Sequence, residues 1–252
     1  MSKIYAEDVV RIAAGEVGYL EKASNKDLDS QTANAGSGNW NKYARDLWNA
    51  DPHYYNGPKN GYDWCTAFAD WCIYMAADQD AAAAQKAVCY TGPWGASCTL
   101  SVQYYRAAGR FWARKDAKPK PGDQIFFGDD ASIRHTGLVE KVTDGVVYTI
   151  EGNSGNAVRR HSYSLESQNI YGYGRPRYDG EKAPAETESP DTGFPFTDVP
   201  KDAYYRKAVE WAYASGITVG TSKTEFSPDR EITRAEAVTM MYRLYELIEG
   251  GG

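Results

Sequence analysis

Residues 62–72 read YDWCTAFADWC, and the interpretation of the whole chain starts from this stretch. From Cys65 onward, apolar side chains recur at spacings of three, four and seven residues, the period of a helix face turned toward a core. Asp63 suits the N-cap position because a carboxylate there accepts hydrogen bonds from free backbone amides. The pattern predicts a helix that begins near Trp64 and carries a cysteine in its first turn.

Cys65 can be a core residue or a nucleophile, and its surroundings favour the nucleophile. The thiolate is the reactive form of cysteine, although a free thiol has a pKa of about 8.5. A helix N-terminus stabilises the anion, a histidine takes the proton, and a third polar group must orient the imidazole. Candidate partners follow downstream at His135, Glu151 and Asn153. The other three cysteines are predicted to be buried structural residues: Cys72, Cys89 and Cys98.

Residues 135–153 are predicted to form a β-hairpin that turns at the Thr-Asp-Gly sequence of residues 143–145. A two-residue Asp-Gly loop would put His135 and Glu151 on opposite faces, whereas a three-residue loop shifts the pairing by one. The three-residue loop separates polar from apolar residues better, so we predict it. It places His135 opposite Asn153, with Glu151 diagonal to the histidine. The predicted apolar face carries Leu138, Val142, Val146, Tyr148 and Ile150, and the other face carries His135, Gly137, Lys141, Thr149, Glu151 and Asn153, with Val139 and Val147.

The remaining pattern divides the chain into a larger first part and a short tail. The predicted elements of the first part are helices over 8–20 and 96–108, a polar loop over 22–41 and a strand over 124–127. Residues 179–193 are rich in acidic residues and lack large apolar side chains, which predicts a linker. The tail is predicted to hold one helix near 202–215 and a second from Thr233, where Thr233 and Glu236 form a capping box.

Several stretches of the first part resemble CHAP-domain peptidoglycan hydrolases, especially those of phage and prophage endolysins. Tyr62–Cys72 is similar to their nucleophile helix, Arg134–Val139 to their histidine strand, and Tyr148–Asn153 to the strand with their third and fourth catalytic positions. The upstream segments Gly18–Lys22 and Asn34–Ser37 resemble the start of the same domains. The order and the local contexts of these segments carry the resemblance, because a cysteine followed by a histidine is by itself common.

The resemblance implies a papain-like α+β fold for residues 1–178, with helices packed on an antiparallel sheet. It implies a cysteine amidohydrolase, an N-acetylmuramoyl-L-alanine amidase or an endopeptidase, that cuts the stem peptide or cross-bridge of Gram-positive walls. Cys65 would attack the carbonyl, His135 would transfer the proton and Glu151 would orient the imidazole. Asn153 would assist that network or polarise the carbonyl.

The tail, residues 194–249, resembles an S-layer homology repeat, a small all-α helix-loop-helix unit. The matching segments are Phe196–Pro200, Ala208–Trp211, Gly216–Ile217, Gly220, Phe226–Pro228 and Ile232–Glu236. The resemblance implies binding to secondary cell-wall polysaccharide, with Arg234, Trp211 and Asp198 as candidate contacts. Arg234 at a helix N-terminus can pair with an anionic sugar substituent. Trp211 can stack on a sugar or can belong to the helix core.

Composition and charge limit the classes of partner that the chain is expected to bind. The net charge of −6 argues against nucleic acid, and no apolar run approaches the roughly 18 residues of a membrane span. The first residues show no signal peptide, so we expect synthesis in the host cytoplasm and action on the wall after release. We expect no cofactor; calcium, which some CHAP domains use, is the alternative for the loop at residues 25–34. Such repeats usually come in threes, so we expect a homotrimer through the tail, or else a repeat that stands alone and binds weakly.

Two other functions compete with wall hydrolysis. In one, the chain is a non-catalytic wall-anchored protein whose first part only binds. In the other, a papain-like enzyme acts on an amide outside the wall. The set of Cys65, His135, Glu151 and Asn153 counts against the first alternative, and the tail counts against the second.

Overall fold

A computed structural model describes residues 3–91, 95–179, 194–201, 203 and 205–249, with the side chains of 246–249 left aside. It divides into two units, Met1–Pro184 and Ala185–Gly252, and each unit is described by itself. The predicted linker lies outside the described residues except for Asp179, and so does Asp202 at the predicted start of the first tail helix. Across the described helices, none is both long enough and apolar enough to cross a membrane.

The first unit is α+β, with helices packed on a six-stranded antiparallel sheet, as predicted. Its helices are α1 Ala6–Gly15, α2 Lys42–Ala50, α3 Cys65–Ala76, α4 Ala81–Ala87 and α5 Cys98–Ala107, with a 3-10 turn at Arg114–Asp116. Its strands are β1 Phe111–Ala113, β2 Gln124–Gly128, β3 Ile133–Thr143, β4 Val146–Glu151, β5 Arg159–Ser164 and β6 Ile170–Gly174. The strand order is β1-β6-β2-β3-β4-β5, so β3 lies near the middle of the sheet and beside both of its chain neighbours.

Helix α2 is absent from the sequence prediction, and α1 ends at Gly15 instead of near Leu20. The α2 helix is nine residues long, and its buried residues Tyr43, Ala44 and Leu47 lie at helical spacing. Its start is fixed by Asn41, whose side chain accepts a hydrogen bond of 2.8 Å from the amide of Ala44. That cap satisfies one of the amides that every helix leaves free at its first turn.

Helix α3 is enclosed by the rest of the first unit. All of its residues except Met75 are buried, and it contacts α1, α2, α4, β3 and β4. Leu138 and Ile150 close the core on the helix side of the sheet, while Val139 and Val147 enter a second cluster on the opposite side. The central strands are therefore buried on both faces, which holds their ends in fixed positions.

The β3–β4 hairpin turns through a two-residue loop, so the predicted three-residue loop is wrong. Thr143 pairs with Val146, and Asp144 and Gly145 both have positive φ, 51° and 74°. Two successive residues in the left-handed region define a type I′ turn, whose twist matches that of the strands. An Asp-Gly pair tolerates this conformation at low cost.

A β-bulge at Glu140 then restores the predicted pairing at the other end of the hairpin. Lys141 pairs with Tyr148, but Val139 pairs with Thr149, so one extra residue lies in β3. A bulge shifts the register by one, which reverses the effect of the shorter loop. Beyond it, Leu138 pairs with Ile150, as in the predicted register.

Between the bulge and the turn, the residues of β3 lie on the faces of the sheet opposite to those predicted. Val142 packs with the cluster of Val139 and Val147 instead of with Leu138. Lys141 pairs with Tyr148, and its ammonium lies 4.5 Å from the centre of that ring. The predicted segregation of polar and apolar residues is therefore wrong near the turn.

The described part of the second unit holds two helices, and its small, largely aromatic core is formed by the first of these helices and the loops of residues 194–201, 205 and 226. Helix α6 spans Arg206–Ala214 and α7 spans Arg234–Glu249. Gly216, with φ of 72°, ends α6, and the next amide, of Ile217, donates to the carbonyl of Ala212 at 2.8 Å. The predicted capping box is confirmed: the Thr233 amide donates to Glu236 at 2.8 Å, and the Glu236 amide donates to the Thr233 hydroxyl at 3.2 Å.

Candidate active site

Cys65 is the first residue of α3, as the sequence predicts, and its side chain is only 6% exposed. The N-cap residue is Trp64, which lends no side-chain hydrogen bond to the helix start. Asp63 is not the cap that the sequence suggests; its carboxylate accepts a hydrogen bond of 3.1 Å from the Asn153 side chain. The first amides of α3 therefore receive no side-chain cap from Trp64, and a helix N-terminus of this kind favours an anion.

His135 lies on β3 with Glu151 beside it. The ring Nε2 is 3.0 Å from Glu151 Oε2, and the other carboxylate oxygen accepts a 2.5 Å hydrogen bond from the Thr149 hydroxyl. On the opposite strand Phe127 stacks against the imidazole, with ring centres 5.9 Å apart. Because Nε2 is engaged by Glu151, Nδ1 is the ring nitrogen left for the thiol of Cys65.

Gly137 makes room for the Glu151 side chain. A methyl group built on Gly137 would come within 2.5 Å of Glu151 Cγ and 3.0 Å of the Ile150 carbonyl. Any larger residue would push the carboxylate away from His135. The glycine in the Arg134–Val139 stretch therefore has a steric reason, and the carboxylate it admits is 1% exposed.

The electrostatics of these groups favour an ion pair of thiolate and imidazolium. The Cys98 thiol and the His135 imidazole outweigh burial and hold the pKa of Cys65 well below its usual range. Burial by itself would lower the pKa of His135, but Cys65 and Glu151 raise it to about 10. Burial likewise opposes the charge on Glu151, yet hydrogen bonds from His135 and Thr149 lower its pKa. A charged pair is the state in which cysteine is nucleophilic at neutral pH.

The start of α3 is braced by contacts that the sequence does not reveal. The indole of Trp64 is buried and donates a 2.9 Å hydrogen bond to Glu21, which belongs to a loop more than forty residues upstream. Tyr43 of α2 stacks on the same indole with ring centres 5.4 Å apart. One turn into the helix, Asp70 accepts a 2.6 Å hydrogen bond from the Tyr55 hydroxyl, and burial raises the pKa of that carboxyl to about 7.

The structure thus brings together Cys65, His135 and Glu151, and gives Asn153 a different neighbour. Asn153 has a positive φ of 57°, and its amide bonds to Asp63 at the entry to α3. Cys98, predicted only as a structural cysteine, lies with its sulfur 3.7 Å from that of Cys65. The sequence holds no signal for this approach, since the two residues are 33 positions apart on different helices.

The candidate sugar contacts of the second unit differ in their surroundings. Arg234 is an exposed residue at the start of α7, and Trp211 is 53% exposed, so its alternative as a helix-core residue is wrong. Asp198 is engaged internally: its two oxygens accept the amides of Phe226 at 2.9 Å and Ser227 at 2.6 Å. These bonds join the first loop of the unit to the segment before α7.

In the loop considered for calcium, Asp29 is paired with an arginine. Both oxygens of Asp29 accept hydrogen bonds from the Arg45 guanidinium, at 2.6 and 2.8 Å. A cation there would have to displace a bidentate ion pair. Within the described part of the chain, no group of three or more His, Cys, Asp or Glu side chains is arranged to hold a metal ion.

Two family models match the chain. The CHAP domain model matches residues 57–153, which hold Cys65, His135, Glu151 and Asn153. The S-layer homology domain model matches residues 195–238, which hold α6 and the start of α7. The chain therefore carries a CHAP domain followed by an S-layer homology domain.

Curated relatives match over short lengths. The chain is 42% identical over 57 residues to the "Surface-layer 125 kDa protein" of Lysinibacillus sphaericus, covering 23% of this chain and 5% of that protein. It is 44% identical over 50 residues to the "Cell surface protein" of Thermoanaerobacter kivui, covering 20% and 7%. It is 37% identical over 62 residues to the "Endoglucanase" of Bacillus sp. (strain KSM-635), covering 25% and 6%. The chain thus spans less than a tenth of the length of these relatives.

A comparison of folds finds a solved structure titled "The crystal structure of Ly7917". The superposition covers 68% of this chain and 62% of that one, with 16% sequence identity and a TM-score of 0.38. At that score the similarity carries no argument about the site.

Proposed function

We propose that the chain is a cysteine peptidoglycan hydrolase, cleaving an amide of the stem peptide or cross-bridge. The observation that carries the proposal is the arrangement of Cys65 at the start of α3 with the His135–Glu151 pair, which bond at 3.0 Å, inside the span of the CHAP match. A low thiol pKa, a raised imidazole pKa and a buried orienting carboxylate are what amide cleavage by cysteine requires.

In the proposed reaction the Cys65 thiolate attacks the carbonyl carbon. The tetrahedral oxygen lies against the free amides at the start of α3, the backbone amide of Cys65 among them. The His135 imidazolium gives its proton to the leaving amine and then takes one from the water that hydrolyses the thioester. Glu151 holds the ring orientation throughout. Asn153 acts from the entry to the helix, through Asp63.

The second unit supports a place on the cell wall. In this proposal it binds secondary wall polysaccharide, with exposed Arg234 and Trp211 as contacts. Asp198 has a structural role, because it accepts hydrogen bonds from two backbone amides of the same unit. Two of the relatives are described as surface proteins, which agrees with that place. The resemblance to phage and prophage endolysins makes lysis from within a host the proposed setting.

Digestion of purified Gram-positive walls tests the proposal. Wild type should release fragments with new amino termini, and mass spectrometry of them identifies the bond: free stem-peptide alanine for an amidase, an internal amine for an endopeptidase. Cys65→Ala should release none above the background without enzyme. A wild-type digest without new amino termini would refute hydrolysis, and retained wall sedimentation in that case would favour the non-catalytic binding protein.

A further inference from the structure

Cys98 is a second thiol inside the candidate active site; it helps to lower the pKa of Cys65, but in the proposed reaction it neither attacks the substrate nor transfers a proton. It is the first residue of α5, and its sulfur lies 3.7 Å from that of Cys65 and 3.6 Å from the Thr66 hydroxyl. Its side chain is 6% exposed, as is that of Cys65. Two thiols in contact can form a disulfide with each other once one of them is oxidised.

The two sulfurs have different chemical roles. The surroundings of Cys65 favour its thiolate, whereas the hydrogen bond to Cys65, burial and the negative charge of Cys65 all raise the pKa of Cys98. A thiolate is the form that peroxides oxidise, and a neighbouring neutral thiol is the form that resolves the product. The sulfurs must approach by less than about 2 Å to reach the disulfide bond length.

We propose that Cys98 is a resolving cysteine, which captures peroxide-oxidised Cys65 in a reversible disulfide that switches the nucleophile off. The sulfur contact of 3.7 Å carries the proposal. The switching part rests on the proposed function, because only there does Cys65 act as the nucleophile. The disulfide itself is independent of any substrate.

The chemistry is balanced with hydrogen peroxide as the oxidant. The Cys65 thiolate attacks one peroxide oxygen, the O–O bond breaks, and hydroxide leaves, which forms a sulfenic acid. Cys98 gives up its proton and attacks the sulfenic sulfur; the S–O bond breaks and the departing hydroxide takes the proton as water. The hydroxide released in the first step takes the proton that Cys65 had given to His135, so in total two thiols and one peroxide give one disulfide and two waters. A dithiol reductant reverses the step by thiol–disulfide exchange.

Cys98 therefore protects the nucleophile from irreversible oxidation. A sulfenic acid without a nearby thiol proceeds to sulfinic and sulfonic acids, which dithiols do not reduce. Cys72 offers a contrast: it is fully buried in the other core cluster, and burial raises its pKa. It lacks the thiolate character that makes Cys65 reactive, so it serves as the control cysteine.

Peptide mapping of the full-length protein tests the disulfide. Trypsin cuts after Lys59, Lys86 and Arg106, so Cys65 and Cys98 fall on separate peptides, residues 60–86 and 87–106. After peroxide treatment and alkylation without reductant, we expect these peptides linked and lighter by two hydrogen atoms. Because each also holds a second cysteine, Cys72 or Cys89, fragmentation must locate the bond. Absence of a Cys65–Cys98 bond in wild type overturns the proposal, whether or not the protein hydrolyses walls.

Recovery of activity tests the switch. Wild type, Cys98→Ala and Cys72→Ala are treated with peroxide and then with dithiothreitol, and each wall-hydrolysis rate is divided by the rate of the same untreated variant. Wild type and Cys72→Ala should regain most of the lost activity. Cys98→Ala should stay inactive, with Cys65 found as sulfinic or sulfonic acid. Recovery of Cys98→Ala equal to that of wild type contradicts the protective role. If walls are not hydrolysed at all, the oxidation state of Cys65 after dithiothreitol gives the same decision.

Discussion

The two units differ in how deeply their apolar helices are buried. In the first unit α3 is buried in all residues but one, between the sheet and the other helices. In the second unit α7 leaves large side chains in solvent: Met241 is 66% exposed and Val238 is 64% exposed, with Tyr242 and Tyr245 also exposed. The first unit covers its central apolar helix, whereas the second leaves an apolar face of α7 exposed.

This difference separates two kinds of function. An enclosed helix can hold a nucleophile to a fraction of an ångström, because the packing around it has no room to rearrange. An uncovered helix gains stability when something covers it, so we expect α7 to act in contacts between molecules. The following predictions test that division, beginning with the largest expected effect.

Cys65→Ala should abolish wall hydrolysis and leave the fold intact, with a loss of roughly a thousandfold or more in rate. The change removes one buried sulfur and leaves the rest of α3 in place, so thermal stability should fall only slightly. Turbidity loss of purified walls measures the rate, and thermal unfolding measures the fold. Residual activity above a few per cent would remove Cys65 from the nucleophile role, and a collapsed melting transition would mean that the site and the core are not separable.

His135→Ala should also abolish activity, whereas Glu151→Gln should leave a measurable remainder, larger by at least about tenfold. An amide can still accept a hydrogen bond from the imidazole, but it lacks the charge that favours the imidazolium. Rates on walls at saturating substrate make the comparison. Equal losses in the two variants would show that Glu151 does more than orient the ring.

Removal of the second unit should change assembly and wall affinity without changing the site. A chain ending after Asp179 is the suitable truncation, because Asp179 and Ile4 exchange hydrogen bonds within the first unit. Light scattering should find the full chain trimeric and the truncated chain monomeric, and sedimentation with walls should weaken by roughly a hundredfold as avidity is lost.

A monomeric full-length chain at tens of micromolar would refute the trimer. It would leave the alternative of a repeat that stands alone and binds weakly. Met241→Glu is the matched control, since it adds charge to the uncovered face of α7 while all of the first unit stays in place.

The pH dependence of wall hydrolysis should report the pKa of His135 in the ion pair. The pKa of Cys65 is lowered and that of His135 is raised to about 10, so the ion pair is present between these two pKa values and is lost as pH rises through about 10. Activity should therefore fall on the alkaline side near that value. Glu151→Gln removes a charge that raises the pKa of His135, so the alkaline limb should move to lower pH. An unmoved limb would assign it to another group.

Cys72→Ala should show the reverse of Cys65→Ala, at the smallest scale. Cys72 is fully buried in the main core, so loss of its sulfur leaves a small cavity and should cost about 1 kcal/mol of unfolding free energy. Hydrolysis should stay near the wild-type rate. Denaturant unfolding measures the cost, and a loss of activity at unchanged stability would place Cys72 in the site instead of the core.

The hairpin shows why a correct pairing can rest on a wrong turn. Alternation of residue types predicts that Leu138 faces Ile150, and this is confirmed. The loop length predicted from the same alternation is wrong, because Asp144 and Gly145 form a tighter turn and Glu140 compensates as a bulge. A bulge depends on how a strand bends across the core, so the two strands by themselves could not have shown it.

The sequence by itself determined the elements whose signals are local. The helix that starts at Cys65, the strands that bring His135 to Glu151, and the Thr233–Glu236 capping box all follow from spacing between near neighbours. Such signals survive because a few consecutive residues fix backbone dihedrals and faces. The α+β class follows from the same patterns and from the resemblance they carry.

Only the tertiary structure decided which distant side chains meet. It placed Cys98 against Cys65, joined Asn153 to Asp63 instead of to the imidazole, and anchored Trp64 on Glu21. None of these contacts has a sequence period, because each depends on how separate helices, loops and strands pack together. The candidate nucleophile can therefore be proposed from the chain, but its contact with Cys98 and the contacts that support α3 are products of packing, which local patterns do not encode.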